Sequence, residues 1–197
     1  MPKTEKQCEE IKDKTRQKII EKSILYFSKN GFSGTKISEL CKYIGIAPGS
    51  IYNYFESKEE LYGEIRKIAV SFDLESMKKL VNLPFSAKKK IMILSRYLIK
   101  KLKDDQVFAA AMTLSTQELL EQNEERKVNA AYECELYQLF AHVVEQGQRE
   151  KTVADGEVMK LVDYYWGIVY LYALKKMFAD NHIMITADDL ARSILKG

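Results

Sequence analysis

Proline occurs at only positions 2, 48 and 84 of 197. Over the long intervals between those positions, apolar residues recur at spacings of three and four, while the alternation that marks half-buried strands is missing. The chain is therefore expected to be all-α. A first helix is expected over 11–30, with Ile20, Ile24 and Phe27 as its apolar stripe and Gly31 just past its end. A second spans 36–43 and breaks at Ile44-Gly45-Ile46. A very short third opens at Pro48, where a fixed φ and a missing N–H suit the first helical turn.

Ser57-Lys58-Glu59-Glu60 has the form of a capping box. The helix it opens carries Leu61, Ile65, Ile68 and Phe72 as a stripe and is expected to run to about residue 80. Asn82-Leu83-Pro84 punctuates the chain, and further helices are expected at 86–103, 105–113, 116–148, 155–180 and 187–196. The polar run EQNEERKVN at 121–129 reads as a loop splitting the longest of these.

A hydrophobic content of 46% with 30% charged residues fits a soluble globular chain and not a disordered one. The net charge of +3 is unevenly placed. Residues 1–67 hold 13 Lys+Arg against 10 Asp+Glu, whereas residues 68–197 hold 18 of each. The whole surplus lies in the first third, a weak hint of a polyanionic partner there.

Cys8, Cys41 and Cys134 are odd in number and form no CxxC pair, so reduced thiols are expected, with neither a disulfide framework nor a zinc site. The charged N-terminus lacks the apolar core of a secretory signal. The run YYWGIVYLYAL at 164–174 is too short to cross a bilayer. A cytoplasmic protein without a membrane partner is the expectation.

The stretch GIAPGSIYNYFESKEEL, 45–61, carries the strongest signal. A helix over 36–43, a turn holding Gly45 and a short helix from Pro48 have helix-turn-helix spacing. Ile37, Leu40, Ile44, Ile46, Ile51 and Phe55 would join the pair to its support, leaving Pro48, Gly49, Ser50, Tyr52, Asn53 and Tyr54 facing outward. The second helix of such a pair enters a major groove end-on, so small residues at its start allow close approach. Asn53 offers a donor and an acceptor together, suited to an adenine edge. Tyr52 and Tyr54 can donate to phosphate oxygens, and Lys58 adds a charge at the next helix start.

From Thr15 to about Ile65 the sequence resembles the DNA-binding domain of the TetR (tetracycline-repressor-like) family of bacterial transcriptional regulators. Gly31-Phe32, Thr35, Gly45-Ile46, Gly49, Tyr52-x-Tyr54-Phe55 and Lys58-x-x-Leu61 fall in register. A weaker echo is Glu145-Gln-Gly147-Gln, ahead of the apolar run.

The resemblance implies a DNA-binding domain at 1–56 and a helical effector-binding and dimerisation domain at 57–197. It also implies a homodimer on a near-palindromic double-stranded DNA operator, with repression relieved by a small-molecule effector. Thr35 and Lys36 join the DNA-facing set. Lys36 stands where the family usually has a hydroxyl residue, Tyr54 where it usually has His, and Lys151 where a second glycine often follows. Ala47 replaces the usual Ser or Thr at the recognition-helix N-cap, a change worth about 1 kcal/mol.

Between Leu161 and Phe178 only Asp163, Lys175 and Lys176 are charged. A helix apolar all round needs cover all round, which points to a second subunit, the competing reading being a central helix wrapped by its own neighbours. Tyr164, Ile168, Leu171, Tyr172 and Lys175 are candidates for that interface. Tyr97, Met112, Tyr137, Tyr165 and Trp166 are candidates for a pocket holding an aromatic or lipophilic effector, with Tyr132 and Tyr170 further aromatics of the same domain; core or dimer packing is the competing role for each.

His142 and His182 are isolated, no nucleotide-binding or hydrolase pattern occurs, and neither a metal, a cofactor nor an enzymatic activity is expected. Lys88-Lys89-Lys90 reads as a solvated helix start. The alternative function is a helical protein–protein adaptor that keeps the fold without binding an operator.

Overall fold

The computed structural model describes residues 5–71, 74–121 and 134–196. The chain forms two compact units, Met1–Val70 and Ser71–Gly197. Among the described residues the secondary structure is helical, as the periodicity predicts, apart from one isolated antiparallel bridge between Val153 and Leu195.

The first unit opens with α1, Glu5–Asn30. It starts six residues before the apolar stripe suggests, because the Glu, Lys and Gln residues preceding that stripe are good helix formers without any core to face. Ile19, Ile20, Ile24 and Phe27 are buried. The next helix, α2 (Ile37–Ile44), buries Leu40, Cys41 and Ile44. Gly31 and Gly45 end α1 and α2 at φ 69° and 84°, in the left-handed region that side chains disfavour. The N–H groups of Gly45 and Ile46 both donate to the Cys41 carbonyl, at 2.9 and 3.0 Å.

The short third element, Pro48–Asn53, is a 3-10 helix. Ala47 at its N-cap supplies no side-chain acceptor, and six residues are too few for a self-sustaining α-helix. Ser50 N–H donates to Ala47 O at 2.9 Å and Tyr54 N–H to Ile51 O at 3.0 Å. Ile51 and Phe55, each 2% exposed, hold the turn to its support. Burying two such side chains stabilises by about 3–6 kcal/mol, more than the missing cap loses.

Lys58–Ser71 forms α3. Ser57 Oγ accepts from Glu60 N–H at 3.0 Å, the first half of the capping box. The Glu60 carboxylate reaches back one residue further than the motif predicts, to the N–H of Glu56. Leu61 and Ile65 are wholly buried, so α3 belongs to the first unit and the division falls after Val70, not at residue 56. The helix expected to continue to residue 80 is described as α3 and α4 (Leu74–Val81); Phe72 lies outside the described residues.

The second unit continues with α5 (Ala87–Asp104), α6 (Gln106–Glu121), α7 (Glu135–Arg149), α8 (Val158–Phe178) and α9 (Ala187–Arg192). The break expected between residues 113 and 116 does not form. The hydroxyls there bond back to helix carbonyls, Thr113 to Ala109 O at 3.0 Å, Ser115 to Ala111 O at 3.1 Å and Thr116 to Thr113 O at 2.7 Å, so α6 runs through. The loop expected at 121–129 lies outside the described residues from 122 onward, as does Tyr132.

Lys90 corrects the reading of the Lys88–Lys90 run. It is 5% exposed, and its ammonium donates to Val81 O at 2.7 Å and to Gln146 Oε1 at 3.0 Å, joining the end of α4 to α7. At Gly147 a Cβ would lie 2.9 Å from Val153 Cβ and 3.1 Å from Ala87 Cβ, so hydrogen alone lets α7, α5 and the 151–154 loop meet. Lys151 takes φ 59°, the conformation for which glycine is suited.

Candidate functional site

The sequence singles out one surface in the first unit and one cavity in the second. At the surface, Pro48, Gly49 and Asn53 are exposed, Tyr52 is 54% exposed, and Ser50 and Tyr54 are half-buried. Their neighbours Ile51 and Phe55 point inward, so the outward set shares one side of the 3-10 turn. A Cβ at Gly49 would meet nothing within 4 Å, and its φ lies outside the left-handed range. Neither packing nor backbone conformation within the chain asks for glycine at this position. Lys36, at the N-cap of α2, is exposed and makes no capping bond.

Two expected contact residues are turned to internal use. Thr35 is 3% exposed, and its hydroxyl donates to Gly31 O at 2.7 Å, closing the α1–α2 connection. Lys58 is half-buried. Its ammonium donates to Phe32 O and Thr35 O, both at 3.0 Å, and sits 4.2 Å from the centre of the Phe32 ring. Both correct the expectation of side chains presented to a partner: the loop between α1 and α2 has carbonyls that need donors, and Lys58 and Thr35 lie within reach.

Arg16 was not foreseen. Its guanidinium lies 4.9 Å from the Phe55 ring centre and pairs with Glu64 at 2.7 Å, bracing the far end of the 3-10 turn. The hydrogen bond from Arg16 holds the Glu64 carboxyl below its ordinary 4.5. Thirty-nine residues of sequence separate Arg16 from Phe55, and helical spacing carries no signal over that range. Beneath the turn, burial pushes the Cys41 thiol up, so it stays protonated, 3.8 Å from the Pro48 carbonyl.

In the second unit a cavity of about 280 Å³ is lined by α4, α5, α6, α7 and α8. Tyr97, Met112 and Trp166 line it, together with Met77, Leu94, Leu98 and Phe108. Tyr137 and Tyr165 do not, which corrects two of the five pocket candidates. Tyr165 is fully buried, with its hydroxyl 2.8 Å from Ser95 Oγ, and burial raises its phenol pKa. Tyr137 is buried against Trp166, ring centres 6.1 Å apart and 19° from parallel. Burial pushes the Tyr170 hydroxyl, hydrogen-bonded to Tyr137, up to about 12.

The candidate interface residues divide by exposure. Tyr164 is 57% and Leu171 47% exposed, while Ile168, Tyr172 and Lys175 are half-buried. Phe178, 54% exposed, extends the stripe two helical turns beyond Leu171. The opposite face, Tyr165, Val169, Ala173 and Met177, is buried within the unit. The helix is thus covered on one side by its own unit, while on the other Tyr164, Leu171 and Phe178 stand exposed among half-buried neighbours. Among the described residues no cluster of three His, Cys, Asp or Glu side chains is placed to hold a metal, and no helix is long and apolar enough to cross a membrane.

Residues 19–65 match the family model described as bacterial regulatory proteins, tetR family. The HTH-type transcriptional regulator AcrR of Shigella flexneri is 34% identical over 83 residues, 40% of this chain and 39% of that protein. The uncharacterized HTH-type transcriptional regulator YerO of Bacillus subtilis (strain 168) is 26% identical over 188 residues, 92% of this chain but 62% of its own length. The chain thus spans less than two thirds of these relatives.

In fold, the chain is similar to AibR, solved in complex with isovaleryl coenzyme A and operator DNA. The TM-score is 0.68 at 13% identity, covering 90% of this chain and 94% of that one. The segment that matches the tetR family of bacterial regulatory proteins contains α2, the glycine turn and the outward-facing 3-10 helix.

Proposed function

We propose that the chain acts as a homodimeric repressor that binds a near-palindromic DNA operator through the face formed by Lys36, Pro48, Gly49, Ser50, Tyr52, Asn53 and Tyr54, and that releases it when a small molecule occupies the second unit. The carrying observation is Gly49. The chain leaves open space above it and requires no glycine there, whereas the edge of a major groove brought against the turn would. Tyr52 and Asn53, exposed beside it, supply the hydroxyl for phosphate and the amide for a base edge.

The stripe of Tyr164, Leu171 and Phe178 on α8 supports pairing of two copies, since exposed apolar residues at helical spacing are the usual mark of an interface. Two recognition turns in such a dimer would read half-sites about 34–36 Å apart. That AibR was solved with operator DNA, and that AcrR is named a transcriptional regulator, agree with this reading.

The test is selection of duplexes from a random double-stranded pool, followed by affinity measurement over a range of salt. With about 6–8 phosphates neutralised per dimer, log affinity should fall with log salt at a slope of about −5 to −7. Failure to enrich any sequence, together with a flat salt response, would rule the reading out in favour of an adaptor.

A further inference from the structure

We propose that the cavity of the second unit takes a one-ended amphiphile. A hydrocarbon body of about eleven non-hydrogen atoms is held inside, and its polar atoms are confined to one end, at a rim formed by α4 and α5. The inference rests on reading that unit as effector-binding.

Volume sets the size of the body. An apolar cavity of about 150 Å³ holds one benzene, so about 280 Å³ holds roughly eleven non-hydrogen atoms at the same packing. The interior sets its chemistry. Met77, Leu94, Leu98, Phe108 and Met112 are buried and apolar. Trp166 adds ring carbon only, since its nitrogen is itself closed off by its surroundings. A polar atom carried among these side chains loses its hydration and meets carbon and sulfur in exchange, which weakens binding.

Exposure places the rim. The exposed lining residues, Ser76, Lys79 and Leu83, all lie on α4 or just beyond it, and the half-buried ones, Ile93 and Tyr97, lie on α5. The lining residues described on α6, α7 and α8 are all buried, so those helices form the closed end. Polarity follows the same division. Ser76, Lys79 and Tyr97, the lining residues with a hydroxyl or an ammonium, belong to the open side. An occupant with a single polar end, turned toward α4, leaves none of its polar atoms in the closed part.

Trp166 is the single tryptophan of the chain and lines the cavity, so its emission reports occupancy in the full-length protein. The first probe is 10-bromo-1-decanol, whose bromine at the buried end should quench that emission on contact. Unlabelled primary alcohols are then ranked by their power to restore it. From 1-hexanol to 1-decanol the affinity should rise about fourfold per methylene. From 1-undecanol to 1-tridecanol the whole gain should be less than about twofold, because the added carbons stay outside. The diol 1,10-decanediol brings a second hydroxyl to the closed end and should bind at least about fivefold more weakly than 1-decanol.

Absence of quenching, a diol that matches 1-decanol, or a gain that continues undiminished past 1-undecanol would overturn the inference. Every measurement uses the unsubstituted chain, so none depends on a variant that folds. DNA affinity of alcohol-free protein from the same preparation separates the two readings. Retained DNA binding without the size limit or the diol penalty removes this inference alone. The size limit and diol penalty without DNA binding remove the regulator reading while leaving the cavity's chemistry.

Discussion

Replacing Lys58 by methionine separates two roles that the sequence runs together. A lysine at the start of α3 reads as a phosphate contact, yet its ammonium donates to Phe32 O and Thr35 O at 3.0 Å and covers the Phe32 ring at 4.2 Å. Hydrogen bonds to a charged group contribute about 1.5–3 kcal/mol each, and partial exposure places these near the lower end. The cation–π contact adds about 0.5 kcal/mol. Methionine keeps most of the stem packing, so Lys58→Met should destabilise the first unit by about 3–4 kcal/mol.

For a unit of this size that lowers its melting temperature by at least about 12 °C. Calorimetry gives the melting temperature, and hydrogen exchange should show the loss concentrated in the amides around the α1–α2 connection. DNA affinity should fall as well, but the salt slope should stay unchanged, because no phosphate contact has been removed. Unchanged melting with a salt slope reduced by about one per subunit would refute the reasoning and return Lys58 to the DNA.

Three further outcomes are expected. Gly49→Ala should leave stability within about 0.5 kcal/mol of the parent or raise it slightly, since nothing in the chain meets the added Cβ, while weakening operator binding at least about tenfold; calorimetry and titration of a selected duplex check the two halves. Lys151→Gly should stabilise by about 0.5–1 kcal/mol in denaturant titration, because the strain of a side chain at φ 59° exceeds the entropy glycine adds to the unfolded chain.

Glu64 has its folded pKa depressed by Arg16. Its contribution is present above the unfolded value of 4.5 and disappears as pH falls through the folded one. Glu64→Gln should therefore lose stability relative to the parent above about pH 5 and converge with it in acid; a constant difference at all pH values would contradict this.

The helical class and the helix-turn-helix were legible because both rest on local signals: apolar spacing, glycines past helix ends, and proline at a first turn. Ile51 and Phe55 could be assigned inward by the same spacing. What could not be read were polar side chains whose partners are distant in sequence. Lys58 and Phe32 lie 26 residues apart, and Lys90 and Gln146 lie 56 apart. A lysine seeking carbonyls has the same letter as one awaiting phosphate.

Pocket assignment failed similarly at Tyr165. It and Trp166 are adjacent on α8 and equally aromatic, but a turn of about 100° sends one against Ser95 and the other to the cavity. Only the packing of α5 and α7 around that helix decides which. Thr35 joins the DNA-facing set by resemblance alone, and its letter carries no signal that the hydroxyl closes its own loop.

The reading of the outward face can be put to one comparison. Tyr52→Phe and Asn53→Ala should be titrated against a selected operator and its full set of single-base substitutions. Tyr52→Phe should weaken all duplexes by a similar factor, because a phosphate contact carries no sequence information. Asn53→Ala should flatten discrimination at one position per half-site by about 1–3 kcal/mol while leaving the other positions alone. If Tyr52→Phe changes base preference and Asn53→Ala lowers every affinity alike, or if neither variant alters binding, the turn from Pro48 to Tyr54 does not lie in the groove as described.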